Sequence, residues 1–167
     1  MNRRNTLLTG LTAVAAAATS SNSTLKAEEK AAKNPEVAKI REVLKAHDDA
    51  MTSHDLSGVM AVLAPNAVIM GTGPGEVWTG EADLKTAYEN FFQGFDKGEQ
   101  DFTYHVIHGG LSAEMGWLAA SGEVKGKKDG KELAFPMNVS VTVAKVDGAW
   151  KIATMHFSTL TGEGEVE

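Results

Sequence analysis

The sequence contains no cysteine, and this absence excludes more than any other. Disulfide bonds, thiolate nucleophiles and thiolate metal sites are ruled out, whereas the compartment stays open because exported proteins can fold without disulfides. Positive charge is also scarce, since 16 lysines and arginines stand against 22 aspartates and glutamates. The net charge of -6 leaves no basic stripe for a phosphate backbone, so no nucleic-acid partner is expected.

Several motifs that carry chemistry are missing as well. The chain has no G-x-S-x-G elbow, and its glycine loop, residues 71–75, lacks the lysine and the following helix of a phosphate-binding loop. His105 and His108 are an odd number of residues apart in a predicted strand, so they are expected to point to opposite faces. No H-E-x-x-H spacing occurs either. We therefore expect no metal ion and no other cofactor.

The N-terminal segment has the layout of a signal peptide. Arg3 and Arg4 precede a mildly apolar run, residues 7–18, which is too short for a permanent membrane anchor. The pair resembles a twin-arginine export signal, with an ordinary secretory signal as the alternative. We expect residues 1–26 to be the signal peptide and residues 27–34 a flexible linker. The mature protein is then periplasmic or secreted and has no membrane contact.

Replacing Arg3 and Arg4 by lysines is expected to stop export if the twin-arginine route is used, because that route recognises the guanidinium pair. Ordinary secretion needs only positive charge and would continue. The measurement is an immunoblot of cell fractions for the mature protein. Undiminished export of the double-lysine variant would exclude the twin-arginine route.

Apolar residues at helical spacing predict three helices. The first begins at Asn34-Pro35, with asparagine as N-cap and proline at the first helical position, and runs to about Met51 with His47 on its apolar stripe. The second, residues 56–63, is capped by Asp55. The third follows Gly80 and is predicted to be core. Its stripe consists of Leu84, Ala87, Tyr88, Phe91, Phe92 and Phe95.

From Asp101 onward the apolar pattern is that of β-strands. Two strands are predicted at residues 102–108 and 115–125, separated from the last hairpin by a charged turn over residues 126–131. In the last hairpin, residues 135–160, Asp147-Gly148 indicates a type I′ turn. Short strands are also predicted at residues 67–70 and 76–79. Helices followed by antiparallel strands predict an α+β fold.

The register of the last hairpin assigns its side chains to two faces. If Val146 pairs with Ala149 and pairing continues without interruption, one face resembles a pocket wall with one imidazole. That face is Met137, Val139, Val141, Val143, Ile152, Thr154, His156 and Ser158. The other face is Asn138, Ser140, Thr142, Ala144, Lys151, Ala153, Met155 and Phe157. Since Met155 and Phe157 are too apolar to face water alone, this second face is predicted to form a homodimer.

Three stretches of the chain resemble the SnoaL-like, nuclear transport factor 2-like superfamily, also called the cystatin-like cone. They are residues 51–68, residues 78–92 and residues 148–158, of which the last is also similar to the association domain of calcium/calmodulin-dependent kinase. The resemblance covers residues 35–160 and leaves an acidic tail, residues 161–167. It implies a curved antiparallel sheet wrapped around three helices and a homodimer through the convex sheet face. It does not select a function, because this fold hosts enzymes, transport factors and assembly modules.

Ketosteroid isomerases resemble the chain closely enough to test their catalytic positions. Their oxyanion tyrosine falls on His47 and their general-base aspartate on Gly71. A glycine cannot accept a proton, so isomerase chemistry is not supported. The remaining candidates for acid–base catalysis are His47 and His156, which would approach each other across the cone. Their orienting partners would come from Asp48, Asp49, Thr154 or Ser158, and the alternative is that both rings are structural.

The sequence thus predicts an exported protein that binds a small apolar or amphipathic molecule in its cone, with the question of catalysis open. Besides the two histidines, the predicted ligand contacts are Met51, Trp78, Tyr88, Phe92, Met137 and Val141. The alternative is a non-catalytic dimerisation or assembly module. In that case the cone would be filled by Trp78, Tyr88 and Trp117, whereas a cavity above about 300 Å³ would favour binding.

Overall fold

The computed structural model describes residues 34–159. The predicted signal peptide, the linker before Asn34 and the acidic tail lie outside the described residues. Helices α1, α2 and α3 span Pro35–Thr52, Leu56–Val62 and Gly80–Phe92. Strands β1 to β6 span Leu63–Met70, Val77–Thr79, Asp101–Leu111, Met115–Lys128, Lys131–Val146 and Ala149–Ser158. Over the described range, every helix is too short or too polar to cross a membrane.

The helix starts follow local capping rules. The Asn34 side chain accepts a hydrogen bond from the backbone N–H of Glu36 at 3.0 Å, and Asp55 accepts one from Gly58 at 2.9 Å. Both predicted N-caps are therefore confirmed. Helix α3 ends at Phe92, so the placement of Phe95 on its stripe is wrong. Phe95 instead packs on Phe135 of β5, with ring centroids 6.2 Å apart.

The six strands of the described range form one sheet in the order β2-β1-β6-β5-β4-β3. The helices cover one face of this curved sheet, which we call the inner face, and the opposite face is the outer face. The predicted α+β class, a curved sheet around three helices, is confirmed. One pair departs from the predicted antiparallel pattern, since β1 runs parallel to β6. These two strands are far apart in the chain, so no hairpin constrains their direction.

Two Asp-Gly turns form the long hairpins. Asp147 and Gly148 have φ of 50° and 79°, as the predicted type I′ turn requires. Asp129 and Gly130 have φ of 52° and 74° and join β4 to β5 in the same way. The predicted charged turn over residues 126–131 is therefore reduced to two residues, and the strands on either side are longer than predicted.

The register of the last hairpin changes at a β-bulge. Val146 pairs with Ala149 and Val143 with Ile152 as predicted, but Thr142 then pairs with Thr154, which leaves Ala153 as an extra residue. Because strand side chains alternate, one extra residue exchanges the two faces of β6 for the rest of the hairpin. The predicted register beyond Val143 is therefore wrong.

A polar cluster fixes the start of α1 on the sheet. The indole N–H of buried Trp150 donates to Glu36 at 2.8 Å, and the Lys145 ammonium lies 3.1 Å from the same carboxylate. Hydrogen bonds from Lys39, Trp150 and Lys145 lower the pKa of Glu36 to about 2, so the carboxylate is charged at neutral pH. This anchor holds α1 across the inner face of the sheet.

Candidate functional site

A cavity of about 150 Å³ lies between α1 and the inner face of strands β3 to β6. Most of its wall is apolar, and polar side chains come from α1 and from the start of β3. The apolar lining is Leu44, Met51, Phe102, Ile107, Leu118, Val124, Met137, Val139, Val141, Met155 and Phe157. The polar lining is Arg41, Lys45, His47, Asp48, Thr52, Gln100, Asp101 and Tyr104.

Strand pairing explains why these apolar side chains converge. Val141 of β5 lies opposite Leu118 of β4 and Met155 of β6, and directly paired residues share a face. Gly122, on the same face of β4, lies opposite Tyr104 and Met137. A Cβ at Gly122 would lie 2.2 Å from the carbonyl oxygen of Thr103, so only glycine allows β3 to approach this closely.

His47 is the buried polar residue at the α1 side of the cavity, with 3% of its surface exposed. Its Nε2 lies 3.0 Å from the Tyr88 hydroxyl, and its Nδ1 lies 3.3 Å from a carboxylate oxygen of Asp48. Burial, and then the charge of Asp48, raises the pKa of Tyr88, so its hydroxyl stays protonated and can donate to Nε2. An imidazole with its proton on Nδ1 satisfies both contacts. Both ring nitrogens of His47 are therefore engaged within the protein.

His156 lies on the other side of the sheet. It is exposed and pairs with Ser140 on the outer face, because the bulge at Ala153 shifts it by one position. The prediction that His47 and His156 line one cavity is therefore wrong, and the two rings cannot share a ligand there. Of Asp48, Asp49, Thr154 and Ser158, the predicted orienting partners, Asp48 is the one that hydrogen-bonds to His47.

The same bulge turns Met155 and Phe157 inward. Met155 is 5% exposed, and both side chains line the cavity. They are therefore not part of the outer face, and the prediction that they form a dimer contact is wrong.

The predicted ligand contacts fall into two groups. His47, Met51, Met137 and Val141 line the cavity. Trp78, Tyr88 and Phe92 do not, because each packs within the helix layer or at the sheet edge. Trp78 packs edge-on against Phe91, Tyr88 is 1% exposed beside His47, and Phe92 stacks on His54.

Arg41 lines the cavity and was missed as a site residue, and Asp48, which also lines it, was predicted only as an orienting partner of a histidine. Their spacing contained a usable signal, because Arg41, Leu44, Asp48 and Met51 follow the period of one helix face. Met155 and Phe157 gave no such signal, since the alternation of β6 alone places them on the opposite face.

The other histidines do not form a metal site in the described part of the chain. His105 lies at a bulge of β3, His108 lies opposite Ala119 on the outer face, and both are exposed. Within residues 34–159, no three potential ligands among His, Asp and Glu cluster as a metal site would require.

Comparison with known proteins identifies the family. The model of the SnoaL-like domain matches residues 40–162, which is more than half of the chain. Among curated proteins, none matches the sequence.

Similar solved structures share the fold at low sequence identity. A ketosteroid isomerase-like protein from Erwinia carotovora atroseptica is 22% identical with a TM-score of 0.62, over 77% of this chain and 99% of that one. An NTF2-like protein of unknown function from Pseudomonas putida is 15% identical with a TM-score of 0.64, over 78% and 90%. A protein with a cystatin-like fold from Nostoc punctiforme is 12% identical with a TM-score of 0.62, over 76% and 92%. With the helix order, the curved sheet and the matching family model, the chain belongs to the SnoaL-like family and has the nuclear transport factor 2-like, cystatin-like fold.

Proposed function

We propose that this protein is exported and binds a small molecule with an apolar body in the cavity between α1 and the inner sheet face. The observation that carries the proposal is the cavity itself, about 150 Å³ with a largely apolar wall. An apolar cavity of about this volume can hold one benzene ring. The volume does not reach the about 300 Å³ that was expected to favour binding and that is typical of drug-sized ligands, so the bound body is limited to the size of a single ring. Export is supported by the signal-like layout of residues 1–26.

The positions of the three aromatic residues that were candidates to fill the cone argue against a filled cavity. Trp117 is 54% exposed on the outer face, where it pairs with Thr142. Trp78 and Tyr88 are not among the residues that line the cavity. These three aromatic side chains therefore do not occupy the space next to Met137 and Val141.

We propose that the ligand is bound without acid–base chemistry by a pair of histidines. His47 lines the cavity, but both of its ring nitrogens have protein partners, and His156 is on the outer face. These contacts support a positioning role for His47, which holds Tyr88 and Asp48 in place. A catalytic role of His47 stays a prediction.

Methionine methyl groups provide a direct test of occupancy. Met51, Met137 and Met155 line the cavity, whereas Met70 and Met115 are exposed on the outer face. We expect toluene, an apolar single-ring probe, to shift the ¹³C-methyl resonances of the first three and leave the last two unchanged. Shifts of equal size at all five would indicate non-specific binding and contradict the proposal.

A matched pair of Val→Phe variants tests whether the space is real. Val139 and Val143 lie on the same face of β5 and both belong to the buried core, but Val139 lines the cavity and Val143 does not. Val139→Phe is expected to abolish toluene binding at nearly unchanged stability, because the added ring has room. Val143→Phe is expected to lower the free energy of unfolding by about 1–3 kcal/mol through overpacking. Urea denaturation measures both, and equal destabilisation by the two variants would contradict the cavity.

We also propose that the protein forms a homodimer through its outer sheet face. The resemblance to the nuclear transport factor 2-like superfamily implies such a dimer. Val106, Met115 and Trp117, all on that face, are 50%, 54% and 54% exposed. A two-fold pairing of this face would remove them from water. Light scattering that gives the mass of a single chain at high protein concentration would rule the dimer out.

A further inference from the structure

Arg41 lines the cavity, and its guanidinium is incompletely hydrogen-bonded. Its Nε and Nη2 are buried, yet neither atom has a hydrogen-bond partner among residues 34–159. Lys45, one helical turn further on, is already paired with the carboxylate of Asp49. A buried charged donor without an acceptor costs free energy, and proteins rarely keep one without a reason. The two open donors of Arg41 therefore point to a ligand that supplies the acceptor.

The identity of the two open atoms selects the kind of acceptor. Nε–H and one N–H of Nη2 lie side by side on one edge of the planar guanidinium. This edge matches the two oxygens of a carboxylate, which can accept both hydrogen bonds at once. We propose that the ligand of this cavity is a small monocarboxylic acid, whose carboxylate binds the Nε/Nη2 edge of Arg41 while its apolar body lies among Met137, Val139 and Met155. The inference rests on the proposed binding function and adds the class of ligand.

The other charges around the cavity favour one negative charge over two. Asp48 and Asp101 line it together with Arg41 and Lys45, and Lys45 is paired with Asp49. Arg41 is therefore the basic residue of the lining that can neutralise the negative charge of a ligand. The carboxylates of Asp48 and Asp101 repel an anion. A carboxylate carries one charge, so it is less disfavoured by Asp48 and Asp101 than a phosphate ester with nearly two. A cavity of about 150 Å³ limits the body to about one ring.

Two probes of nearly the same shape, one with a charged carboxylate and one with a neutral amide, test the inference. Phenylacetate has a ring and a carboxylate, and phenylacetamide has the same shape without the charge. Binding is followed on the methyl resonances of Met51, Met137 and Met155. We expect wild-type protein to bind phenylacetate at least about tenfold more tightly than phenylacetamide, as befits hydrogen bonds to a charged group.

Variants of two basic residues on the same helix face complete the design. Arg41→Gln is expected to weaken phenylacetate binding by about tenfold to a hundredfold and to leave phenylacetamide binding unchanged. Arg41→Lys keeps the charge but not the paired donors, so it should fall between wild type and Arg41→Gln. Lys45→Gln removes a charge that also lies at the cavity but is paired with Asp49, so it is expected to weaken phenylacetate binding less than Arg41→Gln does.

Each outcome supports or overturns a specific statement. Equal binding of phenylacetate and phenylacetamide, or equal losses from Arg41→Gln and Lys45→Gln, would overturn the carboxylate inference and leave apolar binding standing. If neither these probes nor toluene shifts the cavity methyls, the proposed function fails, and the inference fails with it. Arg41→Met is expected to keep the wild-type melting temperature, since no protein hydrogen bond to Nε or Nη2 is lost. A marked fall would mean that Arg41 has a structural partner in solution and would overturn the inference.

Discussion

Tyr88→Ala is expected to lower the free energy of unfolding by about 4 kcal/mol. Tyr88 is 1% exposed and heads the largest fully buried side chains of the described residues. Its ring packs against His47, Phe91 and Phe92, so its removal leaves a large cavity. It also leaves Nε2 of His47 without its partner, which adds a desolvation cost. Domains of this size are stable by about 5–15 kcal/mol, so the loss is a large share of the total.

Urea denaturation of a two-member series separates the ring of Tyr88 from its hydroxyl. Tyr88→Phe removes only the hydrogen bond to His47 and is expected to cost about 1–2 kcal/mol. Because Tyr88 does not line the cavity, Tyr88→Phe should leave toluene affinity nearly unchanged. A loss below about 1 kcal/mol for Tyr88→Ala would contradict the packing described for this ring.

Trp117→Glu is expected to convert the proposed homodimer into a monomer. Trp117 is half-exposed on the outer face, its indole lies across Gly110 of the neighbouring strand, and tryptophan is a frequent anchor of protein interfaces. A glutamate at the centre of a paired outer face would place an unpaired charge in the interface, which costs several kcal/mol. Analytical ultracentrifugation at several protein concentrations measures the change.

Ala134→Glu is the matched control for Trp117→Glu, since it adds the same charge to the same sheet face. Ala134 is exposed on β5. It lies about 26 Å along the strand from Thr142, the residue that pairs with Trp117, at the usual rise per residue. This variant should remain a dimer. Monomers in both variants, or dimers in both, would contradict an interface centred on Trp117. Phe157→Glu is not a test of this interface, because Phe157 lines the cavity.

Part of the candidate site could be predicted from the sequence. The residues of α1 were placed correctly, whereas those of β6 beyond the bulge were not. His47 and Met51 were found because a helix stripe repeats over several turns and tolerates errors of one residue. Arg41 and Asp48 fall on the same stripe and were readable there. Met155 and Phe157 were placed on the wrong face, because a strand alternates with a period of two and one extra residue reverses it.

The sequence alone determined the features that depend on a few neighbouring residues. The N-caps at Asn34 and Asp55 and the turn at Asp147-Gly148 are of this kind, because a side chain or a positive φ at one position sets them. The order of helical and β-type segments, and hence the α+β class, follows from apolar periodicity in the same local way.

Only the tertiary structure decided which side chains meet. The bulge at Ala153 sends His156 to the outer face and Met155 to the cavity, and the parallel pairing of β1 with β6 extends the sheet beyond the last hairpin. The contact between Trp150 and Glu36 joins residues at opposite ends of the domain and sets where α1 crosses the sheet. These features depend on the free energy of packing distant segments together. The position of a bulge and the direction of a strand therefore cannot be recognised from the few residues that form them.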